Sequence, residues 1–161
     1  MRLISCALAS VLLLAACSAN PGQAASGSST AAAAVHPASG LKVVPLTVTH
    51  MGKVHTFRVE VAGTEAEQAK GLMFRTEMGA DEGMIFPMDP ARQASFWMKN
   101  TVIPLDLVFI GPDKRIESIA ANAVPYSLSP IGSRGSVSAV LELNGGRAAL
   151  LGLAIGDRVQ W

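Results

Sequence analysis

The chain has 161 residues, half of them apolar, with 13 Lys and Arg against 12 Asp and Glu. That composition is globular rather than disordered, and a formal charge of +1 excludes a chain-wide electrostatic case for nucleic-acid binding. Arg2 is the only charged side chain before Leu41, so residues 41–161 carry 12 basic and 12 acidic groups and balance to zero.

Met1-Arg2 gives a short positive start, followed by an uncharged, mostly apolar run from Leu3 to Ala16. Fourteen residues are too few to cross roughly 30 Å of hydrocarbon as a helix, and the run fits the apolar core of a secretory signal. It ends in Leu14-Ala15-Ala16-Cys17, which resembles the lipobox of bacterial lipoproteins. The resemblance implies cleavage of residues 1–16 and acylation of Cys17; the alternative is an ordinary signal that leaves Cys17 a free thiol. Cysteine usage favours acylation. Cys6 lies in the removable segment, so the mature chain keeps one cysteine, which cannot form an intramolecular disulfide. Two or more acyl chains at about 0.8 kcal/mol per buried methylene hold a protein on a membrane firmly. In lipoproteins an Asp after the cysteine implies inner-membrane retention, so Ser18 leans toward the outer membrane. Residues 17–40 then read as an acylated cysteine and a flexible tether, because Ala, Ser, Gly, Pro and Thr dominate and cannot bury enough surface to order it. His36 reads as a bystander in that tether.

Residues 41–161 read as one globular domain. Lys42 to His50 and Val54 to Val61 alternate around the turn Met51-Gly52-Lys53, which predicts a β-hairpin with one buried face. Thr64-Glu65-Ala66-Glu67 has capping-box spacing, so a helix is expected from Thr64 toward Met73. Gly83 to Phe86 and Gln93 to Met98 read as short strands joined by Pro87-Met88-Asp89-Pro90. Pro104 to Ile110 is the most hydrophobic strand, and Gly111-Pro112-Asp113-Lys114 turns it back toward Arg115 to Ala121. Asn122 to Gly135 reads as a long loop, Val137 to Leu143 as a strand, Arg147 to Leu153 as a short helix and Gly156 to Gln160 as a last strand. The sum is an α+β fold, mostly β: a compact antiparallel sheet or β-barrel-like domain with two short helices.

Polar groups in apolar settings mark where chemistry can sit. Asp106 lies inside Ile103 to Ile110, apolar on both strand faces, where an ionised carboxylate is costly unless it is paired or hydrogen-bonded. It either accepts backbone N–H groups and pins a turn, or contacts a ligand. Glu142, in Ala139-Val140-Leu141-Glu142-Leu143, points either to solvent or into a shared polar pocket. The two carboxylates could form an acid/base pair if they face one cleft within about 10 Å. Phe96-Trp97-Met98-Lys99-Asn100-Thr101 sets Trp97 and Lys99 on one face beside Asn100, a platform with polar hooks for a small polar molecule; the alternative is Trp97 capping the core. Arg75, just past the first helix, is a candidate for an anionic group. Met73, Met78, Met84, Met88 and Met98 cluster but have no ligand spacing, so they read as core filler before copper ligands, and His50 and His55 lack a third ligand for zinc. No metal or cofactor is therefore expected. Phosphate loop, nucleophile elbow and His-Glu-x-x-His signatures are missing.

Gly71-Leu72-Met73-Phe74-Arg75, Gly83-Met84-Ile85-Phe86, Phe96-Trp97-Met98-Lys99-Asn100-Thr101, Ile103-Pro104-Leu105-Asp106, Val140-Leu141-Glu142-Leu143 and Gly156-Asp157 together resemble the family catalogued as domain of unknown function 192. The resemblance implies a small β-rich domain, often exported in bacteria, and brings no established activity or catalytic residue. The expectation is a lipid-anchored envelope protein on the periplasmic face. Its domain binds a small polar ligand or an envelope partner through Arg75, Trp97, Lys99, Asn100, Asp106 and Glu142, and does not bind nucleic acid. The alternative is an envelope hydrolase or lyase using Asp106 or Glu142 as general acid/base.

Overall fold

The computed structural model describes residues 34–161; the expected signal segment, Cys17 and most of the expected tether lie outside them. Strand β1 (Val43–His50) turns through Met51 and Gly52 into β2 (Lys53–Val61). Both turn residues have positive φ, 46° and 81°, the geometry whose twist matches a two-residue hairpin, and His50 pairs with Lys53 across it. Helix α1 (Glu65–Lys70) follows, with the full capping box: the Glu67 N–H donates to the Thr64 hydroxyl, and the Thr64 N–H donates to the Glu67 carboxylate.

The chain then returns as β3 (Glu82–Arg92), parallel to β2, so the sheet is mixed and not purely antiparallel as expected. The crossover through α1 makes this pairing feasible. The first of the two expected short strands runs on through its expected connection to Arg92, with the Pro87 to Arg92 stretch absorbed as an irregularity in its pairing, and the second is shorter than expected. Short β4 (Ser95–Phe96) pairs with β7 (Ile131–Gly132), which lies inside the expected long loop. Between them run β5 (Leu105–Ile110) and β6 (Ile116–Ala123); β8 (Val137–Asn144), α2 (Arg147–Leu151) and β9 (Arg158–Gln160) complete the chain.

The main sheet has the order β6-β5-β8-β3-β2-β1-β9. It is not closed into a barrel: β9 touches the start of β6 only at an isolated bridge between Arg115 and Arg158 and neighbouring main-chain hydrogen bonds. The fold is thus α+β, mostly β, with two short helices, as the alternation implied.

Each face of the sheet carries its own core. Phe57, Ile85, Val108 and Leu141 lie on one face, under Ala148 of α2; Met84, Phe86, Leu107 and Val140 lie on the other, under Leu72 and Met98. All six β5 residues are buried, the signature of a strand covered on both sides. The methionines behave as filler: Met84, Met88 and Met98 are buried in the second core. Gly83 lets β3 and β8 approach closely, since a Cβ there would stand 2.5 Å from the Glu142 carbonyl oxygen.

Regular structure begins before Leu41, inside the stretch whose composition predicts a flexible tether. Residues 34–42 form a turn in which Val35 bridges Lys42 and the His36 N–H donates to the Leu41 carbonyl.

Candidate functional site

Strand register decides which polar groups meet. Directly opposed residues in an antiparallel pair point to the same face. Asp106 opposes Leu143, in the first core, whereas Glu142 opposes Leu107 and Met84, both in the second. The two carboxylates therefore project from opposite faces of the sheet, and a shared acid/base cleft is ruled out.

Asp106 is fully buried and saturated by main-chain donors. One carboxylate oxygen accepts from the N–H groups of Asn122 (2.8 Å) and Gly146 (2.9 Å), and the other accepts from Ala148 (2.8 Å). Gly146 is the N-cap of α2 and has no side chain to cap with, so Asp106 supplies the missing cap from β5. The expectation that Asp106 contacts a ligand is corrected: it welds β5, β6 and α2 together.

Arg75 is also committed elsewhere. Its guanidinium makes a two-pronged pair with Glu60, at 2.9 and 3.1 Å, and its Nη1 lies 3.4 Å from His36 Nε2. Ser39 donates a short hydrogen bond to the same Glu60 carboxylate. This buried cluster fastens the 34–42 turn to the domain, and Arg75 lines a separate hollow beside that turn, so it does not join Trp97. Asn100 adopts φ 56°; its carbonyl accepts the Phe74 N–H at 2.8 Å and its amide reaches the Met73 sulfur at 3.8 Å. It is a staple between two loops rather than a cavity wall.

Trp97, Lys99 and Glu142 do come together. They share the lining of a cavity of about 370 Å³ between α1 with its trailing turn, the end of β3, and the segment from Ala94 to Thr101. That volume is within the range of small-molecule sites. Trp97 is 51% exposed, and the Lys99 ammonium stands 5.1 Å from its ring centre, a cation–π contact at the mouth. Glu142 enters from the sheet side and is 5% exposed. Among the described residues its carboxyl group has no hydrogen-bond partner, and burial pushes its pKa up to about 8. It is therefore mostly protonated at neutral pH, offering one O–H donor and a carbonyl acceptor. Phe86, Phe96, Leu72 and Met88 give apolar walls, with Phe86 and Phe96 in edge-to-face contact at 5.1 Å.

Two cations of this wall, Lys70 and Arg92, have no signal in the sequence. Lys70 ends α1 and Arg92 ends β3, and only the packing of both ends beside Lys99 makes them neighbours. The histidines lie apart from the cavity: His50 Nδ1 contacts the Asp157 carboxylate at 3.0 Å, and burial lowers the pKa of His55.

The DUF192 family, described as Uncharacterized ACR, matches residues 46–161. No functionally curated protein matches the chain. A crystal structure of a protein of unknown function from Novosphingobium aromaticivorans is 60% identical, with a TM-score of 0.79 over 82% of this chain and 94% of that one. A candidate transcription regulator from Sinorhizobium meliloti is 40% identical, with a TM-score of 0.73 over 74% of this chain and 94% of that one. With the family match spanning residues 46–161, most of the chain, this protein belongs to the DUF192 family.

Proposed function

We propose that this chain is a lipid-anchored protein of the bacterial envelope whose domain binds a small polar ligand in the Trp97–Lys99–Glu142 cavity. One observation carries the binding reading: Glu142 is buried, lacks a protein partner and lines an open cavity. A hydrogen bond made in this largely desolvated setting is stronger than one at the surface, so a ligand that bonds to Glu142 gains more there. Regulation through nucleic acid, suggested by the name of one structural neighbour, has no charge support in the balanced residues 41–161. The enzymatic alternative retains Glu142 alone, protonated at neutral pH as a general acid must be, with no second carboxylate on the cavity wall among the described residues.

Methionine methyl groups report the cavity directly, because Met73 and Met88 line it while exposed Met51 lies in the first hairpin turn. The purified full chain, 13C-labelled at methionine methyls, is titrated with a library of small polar fragments. Ligands are expected to shift Met73 and Met88 and leave Met51 still, and Ser95→Trp, at an exposed position on the wall, is expected to abolish the shifts. A library that moves neither Met73 nor Met88 overturns the reading.

Anchoring rests on Leu14-Ala15-Ala16-Cys17 and on Cys17 being the one cysteine beyond the signal segment. Cells fed labelled palmitate are expected to label the wild-type chain in the membrane fraction. Cys17→Ala is expected to lose the label and leave that fraction. An unlabelled wild-type chain removes the anchor.

A further inference from the structure

We infer that the cavity takes a small organic anion that enters neutral end first, its hydroxyl or carbonyl meeting Glu142 and its charged end resting among Lys70, Arg92 and Lys99. This deepens the binding reading and rests on it. The cavity has an ordered polarity. Its three cations stand at the ends of α1 and β3 and beside the exposed Trp97 ring; its acid emerges from the middle of the sheet between Met84 and Leu107. Lys70, Arg92 and Lys99 are all exposed, and none makes an ion pair among the described residues, so they can meet a charge from outside. Glu60, on the same face of the sheet, is neutralised by Arg75 and adds no net charge. Between the two ends, Leu72, Phe86 and Phe96 favour an apolar or aromatic body.

A cationic ligand fits this order poorly. It would pass three positive groups at the entrance, and it would find a neutral acid inside instead of a carboxylate.

Four compounds of nearly one size separate the terms: 4-hydroxyphenylacetate, its uncharged amide, tyramine as the cationic counterpart, and phenylacetate without the inner hydroxyl. Binding is read at pH 6.5 through the Met73 and Met88 methyl signals. The hydroxylated anion is expected to bind about tenfold tighter than its amide, since three exposed cations acting on one carboxylate add to that order. Tyramine is expected to bind weakest, and phenylacetate about fivefold weaker than the hydroxylated anion for want of one hydrogen bond. A second measurement follows pH. Ionising Glu142 removes the donor and adds a negative charge that repels the anion. Affinity for 4-hydroxyphenylacetate is therefore expected to fall about tenfold from pH 6.5 to 9, one unit above its pKa of about 8. Glu142→Gln, which cannot ionise, is expected to hold its affinity flat over that range. An amide or amine that binds as tightly as the anion overturns the anionic class while leaving the cavity a binding site. Failure of all four, when other fragments shift Met73 and Met88, overturns the class in the same way. Silence from every fragment overturns both. The charge series uses the wild-type chain, so it decides the class even if Glu142→Gln does not fold.

Discussion

Asp106→Ala is expected to lose about 3–5 kcal/mol of folding stability, the range for breaking a buried, fully engaged charge. The substitution leaves the N–H groups of Asn122, Gly146 and buried Ala148 without their acceptor, and it uncaps α2. A domain of this size holds roughly 5–15 kcal/mol in total, so the variant sits near the edge of folding. Asp106→Asn is expected to lose about half as much. Its single amide oxygen can keep the Asn122 and Gly146 bonds, while its NH₂ group faces the Ala148 N–H. Urea unfolding midpoints with unchanged slopes read both values. A loss below about 1 kcal/mol for Asp106→Ala would mean that the carboxylate does not hold the three elements together. Altered ligand binding by a stably folded Asp106→Asn would restore the residue to the site.

Local physics made the anomalies visible, and long-range pairing decided their meaning. The hairpin turn, the Thr64 capping box and the two-sided burial of β5 are short-range patterns, and each stands where the alternation or spacing put it. Asp106 stood out for the same reason, as a charge in an apolar run. Whether it faced a cavity or a helix end depended on β5 opposing β8 with Asp106 against Leu143, and no local pattern specifies a register between strands some 30 residues apart. Glu142 shows the converse: its neighbours in sequence allowed solvent or pocket, and Leu107 and Met84 on either side chose the pocket. Glu60 was hidden by its own regularity. Alternation in β2 sends it outward with Thr56 and Arg58, yet Arg75 and Ser39 close over it. The Ala- and Ser-rich residues before Leu41 have no apolar pattern to announce order; Ser39 and His36 are held by that same buried carboxylate, a contact composition cannot register.

Replacing Glu142 by glutamine is expected to stabilise the domain more as pH rises. The carboxyl group has an ordinary pKa of 4.5 in the unfolded chain and about 8 in the folded one. Between those values the folded state holds a proton that the unfolded state has released, so wild-type stability falls as pH increases through that window. At about 1.4 kcal/mol per unit the total cost approaches 5 kcal/mol above pH 8 and is about 3 kcal/mol at pH 7. Glutamine has nearly the same shape, keeps a donor and an acceptor, and does not titrate. The difference in unfolding free energy between Glu142→Gln and wild type is therefore expected to be small at pH 4.5, to grow through neutrality, and to level off past pH 8. Contributions common to both chains cancel in the difference. Paired urea titrations at pH 4.5, 7 and 9 measure it. A constant offset across the three would show that Glu142 ionises as freely folded as unfolded, and the cavity would then hold a charged carboxylate facing its cations instead of a neutral donor.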